Sequence, residues 1–379
     1  MNAGRLHAAL ETIARDYDQN QVVAKVQALT TTLSNSIDSG DEQQAAAFNA
    51  ALTDLYSALD QSPSALATPS RLAIFNEIGA TQKIGHGLRT AIQDILEANN
   101  VTPANALAEL QAMAEKLSKF KTVISQIISG FEELKIEYDE LDAGETEVGV
   151  TIPFRVIDSS LDGLHQELHA FDKALKIFGE LVEENPESPK IKTVGSSALQ
   201  IFLDSSPGIA LCLATAFERL CALYKKILEI KLLRKQLGEK SLPDKITAPI
   251  EAHERQIADD EIEAIAKDLI REFSKKKDKA RENELRNGIL VALRFFAEQI
   301  DAGVDMEVRA EPPRARTVAE SEGHRVNSQA TKQALEKARK IAARIQNAGA
   351  AMRALKRADG PILSLKEPPR VESKGPKKR

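Results

Sequence analysis

The sequence predicts a mainly α-helical protein: long helical arms or a bundle flank a small central α+β unit of β-α-β-α order, and a basic C-terminal helix and tail follow. Three observations lead there. Residues 1–62, 104–152, 208–242, 250–311 and 314–360 contain no proline and carry apolar residues at helical intervals over most of their length. Strand-like, β-branched runs are confined to one block, about 144–240. Charge is uneven: residues 308–379 hold eighteen Lys and Arg against seven Asp and Glu, in a chain of formal net charge -5. The expected segments are therefore a helical arm over 1–142, the α+β unit over 144–240, a helical hairpin or long helix over 244–303, and a basic linker, helix and tail over 308–379.

Element by element, Leu6, Leu10, Ile13, Tyr17, Val22, Val26, Leu29, Leu33 and Ile37 recur at intervals of three to five and predict one helix up to Gly40-Asp41. Phe48, Leu52, Leu55 and Leu59 mark a shorter helix folded back on it. A third runs from about Pro69 to Asn99, with a weak middle at Gly79, Gly85 and Gly87 where a kink is expected. Thr102-Pro103 then starts a helix of about 38 residues, marked by apolar residues from Leu107 to Tyr138, a length typical of a coiled-coil-like arm. Val148 to Ile157 reads as a strand that Pro153 demotes to an edge or a break. A helix along Leu161–Val182 and a strand from Ile191 to Leu203, broken at Gly195-Ser196-Ser197, come next. Ser206-Pro207 caps a helix to about Leu237 that is apolar nearly all round. From Asp244 to Ile300 the helical pattern returns, with a polar turn over Ser274–Glu284 between two antiparallel helices. Glu311-Pro312-Pro313-Arg314 reads as a linker, Ser328–Ala358 as the basic helix, and the last twenty residues as disordered.

Composition excludes several classes of function. Tryptophan is absent and aromatics make up 4%, which argues against an aromatic-lined sugar or base pocket. Cys212 and Cys221, nine apart on one helix, make neither a disulfide framework nor a four-cysteine zinc site, and read as small core residues. No apolar region follows the opening Met-Asn-Ala-Gly-Arg-Leu-His, and the longest apolar run, Gly208–Phe217, is short of the ~20 residues of a membrane span. The expected setting is cytoplasmic, with no span, cofactor or metal.

Motifs for catalysis are weak. His165 and His169 lie four apart on one helix face as zinc ligands can, but Glu167 stands about 100° from the place of a general base, so half-exposed histidines beside an apolar stripe are the better account. Gly195-Ser196-Ser197 lacks the glycine spacing and lysine of a phosphate loop and reads as a turn or bulge. The acidic run Glu137, Asp139, Glu140, Asp142, Glu145 and Glu147 has no calcium-loop order and reads as a solvated helix end.

The sequence therefore points to a non-enzymatic scaffold that self-associates, as a homo-oligomer or with a protein partner, and tethers that partner through its basic tail. Leu213, Phe217, Leu220 and Tyr224 are the candidate self-association residues. The alternative is sequence-nonspecific nucleic-acid binding through residues 308–379, as in a defence or chromosome-related assembly. Its candidate contacts are Lys332, Lys337, Arg339, Lys340, Arg344, Arg353, Lys356 and Arg357. Two further readings of the tail are that it folds onto the acidic body, and that its mostly alanine apolar side lies on a membrane. No aromatic follows Phe296 to stack on bases, and the closing Lys374–Arg379 resembles a short nuclear-import signal.

Overall fold

A computed structural model describes residues 2–365 apart from 138, 184–185, 196–198, 237–243, 275–278, 316–317, 319–328, 354, 356–361 and 364. Among the described residues the chain is mainly helical with one small sheet, and it divides into two compact units, residues 1–140 and 141–379.

The first unit contains α1 (Ala3–Gln19), α2 (Val22–Ser39), α3 (Glu42–Asp60), α4 (Pro69–Glu77), a short 3-10 turn (Thr81–Lys83), α5 (Gly85–Ala98) and α6 (Pro103–Glu133). Asn2 and Asp41 cap α1 and α3, accepting the backbone N–H groups of Arg5 at 3.1 Å and Gln43 at 3.2 Å. The core joins Leu10, Ile13 and Tyr17 of α1 to Val26 and Leu29 of α2, Leu55 and Leu59 of α3, Leu88 and Ile92 of α5, and Leu110, Leu117 and Ile124 of α6. The helix expected from Pro69 to Asn99 is two, α4 and α5, divided by the 3-10 turn, and two further expectations need correction. The single helix expected over Leu6–Ile37 is broken at Gln21, whose φ of 49° is left-handed; the polar stretch Asp18–Gln21 is too long for an uninterrupted apolar face. The long arm stops at Glu133, not near residue 140. Lys135 turns left-handed at φ 55°, its N–H reaches the Glu132 carbonyl at 3.0 Å, and the Ile136 N–H reaches Phe131 at 2.9 Å, closing the helix end. The chain is then held against α1. His7 Nδ1 donates to the Ile136 carbonyl at 2.7 Å and Arg5 meets Asp139 at 3.0 Å. Tyr138 lies outside the described residues.

The second unit contains β1 (Thr146–Ile152), α7 (Leu161–Val182), β2 (Lys190–Gly195), β3 (Leu199–Asp204), α8 (Pro207–Gln236), α9 (Asp244–Phe273), α10 (Lys279–Ala302), β4 (Asp305–Ala310) and α11 (Gln329–Arg353). The four strands form an antiparallel sheet in the order β2-β3-β1-β4. β1 is thus a central strand. It ends at Ile152, so Pro153 breaks the strand and opens a short 3-10 turn over Phe154–Ile157. The strand expected across Ile191–Leu203 is two paired strands, of which β2 bulges between Ile191 and Thr193; Ser196 and Ser197 lie outside the described residues. β4 falls outside the block where strand character was expected. Met306, Val308 and Ala310 alternate with Asp305, Glu307 and Arg309, and β4 joins β1 at the edge of the sheet.

α8 runs through the centre of this unit, between α7, α9, α10, α11 and the sheet. Phe217 stands edge-on to Phe296 of α10 at 5.1 Å, and Phe171 of α7 edge-on to Phe295 at 4.9 Å. By length and composition α8 could cross a membrane, with mean hydropathy 1.3 over its most apolar 18-residue window, although its longest unbroken apolar run is short; here 67% of that window is buried inside the protein. α9 and α10 form the expected antiparallel pair, joined by Arg294–Asp259 at 3.0 Å and Arg286–Glu263 at 3.4 Å. The segments expected at 144–240, 244–303 and 308–379 share one core, since residues of all three pack together in it.

Candidate nucleic-acid interface

The described part of the basic segment is built into the second unit rather than trailing from it. Its first residues are the end of β4. α11 then packs on α8 and β4 through Ala342, Ile345 and Ala348, which are 4%, 0% and 4% exposed. Gln346 Nε2 donates to the Ala310 carbonyl at 3.2 Å, tying α11 to the end of β4. Farther on, Asp301 at the end of α10 accepts the backbone N–H groups of Ile362 at 2.6 Å and Leu363 at 3.1 Å, and both side chains are buried. The disorder expected over the last twenty residues therefore fails at Ile362 and Leu363; the closing Lys374–Arg379 lies outside the described residues.

The two faces of α11 follow from helical geometry. At about 100° per residue, Thr331, Ala342, Ile345 and Ala348 cover an arc of about 120° that faces the core. Arg339, Lys332, Lys340, Arg344 and Lys337 cover an arc of about 160° on the other side, and all five are exposed. Arg344 is held by Glu272 of α9 at 2.8 Å, and Glu272 also lies 3.8 Å from Arg219 of α8, which pairs with Asp268 at 3.2 Å. Lys340 pairs with Glu336 one turn back at 2.7 Å. Lys332, Lys337 and Arg339 make no ion pair among the described residues.

Arg353 does not belong with this group. It is half-buried at the end of α11, where burial pushes its guanidinium below the ordinary arginine range while the Glu307 charge opposes the shift, so it serves the interior of the unit. Lys356 and Arg357 lie outside the described residues. The four candidate self-association residues are also relocated: Leu213, Phe217, Leu220 and Tyr224 are 1%, 1%, 0% and 1% exposed. Around these four residues the apolar sides of α8 are covered by this chain's own core.

The remaining motifs resolve into structure. His165 and His169 are exposed, with rings stacked 6.2 Å apart, and among the described residues no three His, Cys, Asp or Glu side chains converge as a metal site. Glu167 between them is half-buried, and burial raises its carboxyl above the ordinary range. The acidic run is not a solvated helix end. Asp139 and Glu140 pair with Arg5 and Arg15 in the first unit; in the second, Glu145 meets Lys192 at 2.8 Å, and Glu147, fully buried, lies 3.7 Å from Arg309. Cys212 and Cys221 are both buried, and burial pushes the Cys212 thiol far up. Sequence reasoning missed the Glu272–Arg219–Asp268 network and the Asp301 clamp, because their partners are far apart in the chain and belong to no motif. A cavity of about 390 Å³ lies beside the start of α8, with an apolar floor of Val148, Leu203 and Leu213 and a rim including Glu183, Lys190 and Asp204; in its lining the Ser206 hydroxyl donates a hydrogen bond to the Glu183 carboxylate. Comparison of the chain with protein-family models, with curated proteins and with solved structures finds no match in any of the three.

Proposed function

We propose that the protein is a non-enzymatic helical scaffold that binds the phosphate backbone of nucleic acid across the outer face of α11. The observation that supports this reading is the exposure of Lys332, Lys337 and Arg339, without ion-pair partners among the described residues, on a helix whose opposite face is fixed in a core. A fixed row of cations neutralises successive phosphates and releases their counterions without first having to fold. Lys340 and Arg344 lie on the same arc and exchange Glu336 and Glu272 for phosphate when a strand is bound. Recognition is by charge, not base sequence, since no aromatic residue after Phe296 provides a stacking surface. A membrane-surface role loses its physical basis, because Ala342, Ile345 and Ala348 are already buried.

The test is binding of a short random-sequence DNA duplex by fluorescence anisotropy across a salt series, with the wild-type chain and a Lys332→Ala/Lys337→Ala/Arg339→Ala variant. Three to five engaged cations give a slope of log K against log salt of about -3 to -4.5. The triple variant is expected to lose about 2.7 of that slope. A slope identical in the two proteins would refute the assignment to α11.

A further inference from the structure

α6 carries a second apolar stripe that its own unit does not cover. Its core face is Ala106, Leu110, Ala114, Leu117, Ile124 and Ile128. Val123, Ile127, Gly130 and Leu134 fall within an arc of about 60°, turned well away from that face. Val123, Ile127 and Leu134 are 48%, 39% and 71% exposed, which is high for large aliphatic side chains recurring at helical spacing. Gly130 has open space where a Cβ would be, so another backbone can approach closely there.

The charges beside the stripe identify what fits it. Lys119 lies before the stripe and Glu133 near its end, on the same flank and within about 40° of each other around the helix. Both are exposed. In a parallel two-fold pair this flank of one helix meets the opposite flank of the other, so Lys119 and Glu133 do not face each other. An antiparallel copy of the same helix, centred on Gln126, sets Lys119 against Glu133 at both ends while Val123, Ile127 and Gly130 interlock between them. We infer that the C-terminal half of α6 is a homodimerisation surface on which a second copy of this chain packs antiparallel, through Val123, Ile127, Gly130 and Leu134, with Lys119 and Glu133 setting the orientation. This lies beyond the proposed nucleic-acid role, because it uses a different unit and none of the basic residues of α11. One helical stripe covers much less than the ~800 Å² per partner of a stable complex, so the dimer is weak and depends on concentration.

Sedimentation velocity of the nucleic-acid-free full-length chain, over about a hundredfold range of concentration, tests this directly. The sedimentation coefficient of the wild type is expected to rise toward that of a dimer. Ile127→Glu should abolish the rise, with far-UV circular dichroism confirming the fold. Glu133→Lys alone should weaken association about tenfold, and Lys119→Glu combined with Glu133→Lys should restore it, because the pairs re-form with their signs exchanged. That rescue cannot come from a folding defect. A wild-type chain that stays monomeric throughout, or a dimer indifferent to both Ile127→Glu and Glu133→Lys, overturns the inference.

Discussion

Replacing Ile345 by alanine separates the anchoring of α11 from its charge. The side chain is fully buried between α11, α8 and the sheet, and the change deletes three carbon groups. At about 0.8 kcal/mol for each buried methylene-sized group, the transfer loss is about 2.4 kcal/mol, and the cavity left behind raises the cost to about 3 kcal/mol. The loss should be local, because Thr331, Ala342 and Ala348, the other buried residues of this face, are small and hold α11 weakly by themselves. Hydrogen exchange read by mass spectrometry should therefore show faster exchange in Gln329–Arg353 by about a hundredfold, the factor matching about 3 kcal/mol. Amides of α8 around Leu213–Tyr224, and those of the first unit, should exchange as in the wild type. Affinity for DNA should fall, because the cations must then be ordered on binding, while the slope of log K against log salt stays the same. Unchanged protection of α11 would refute the argument that Ile345 holds it. Loss of protection throughout the second unit would show that α11 does not open separately.

Two further perturbations test the packing of each unit. A Cβ at Gly149, in the central strand, would lie 2.7 Å from the Glu307 side chain and 2.8 Å from the buried Phe202 ring; Gly149→Ala should cost about 1–3 kcal/mol in urea unfolding, and an unchanged midpoint would show that the sheet yields there freely. Asp16 is 1% exposed and accepts the Ser64 N–H at 3.1 Å, yet burial raises its carboxyl above 3.8, so its charged form is disfavoured in the folded state. Stability is then lost as pH rises from 3.8 through the raised value. Asp16→Asn, which keeps an acceptor for Ser64, should stabilise the chain at neutral pH and give no gain below 3.8; a destabilised variant at pH 7 would contradict this.

Helical type and approximate extent were legible because periodicity of apolar residues is a local signal: α3, α7 and α8 lie close to where the spacing places them. The bends were less legible because they depend on backbone angles. Between Tyr17 and Val22 the spacing lengthens to five, and the left-handed Gln21 lies in that gap. At Lys135 a lysine takes a conformation usually left to glycine, and the chain beyond it is held by Arg5 and His7, more than a hundred residues earlier. β4 was missed although it alternates, because it is short, charged on one side, and placed just before a proline-rich stretch. For the candidate interface, the sequence located the basic helix but not which of its charges are engaged. That depends on Glu272 and Glu307, which belong to other elements.

Two sequence readings of the basic segment, an internal clamp and an anion-binding surface, apply to different residues of it. Arg309 and Arg344 are turned toward Glu147 and Glu272 of the same unit, Arg353 is half-buried where the Glu307 charge acts on it, and the two ion pairs help fasten the segment to the acidic body. Lys332, Lys337 and Arg339 are turned outward on the helix so fastened. A net excess of eleven positive charges, if all of it met phosphate, would give a salt slope near -10. Within α11 the three arginines and lysines without partners, with at most Lys340 and Arg344 recruited from their glutamates, limit it to about -4.5. The slope therefore counts cations rather than merely detecting binding. A value near -10 would mean that basic residues outside α11 carry most of the contact and that α11 chiefly holds them in place.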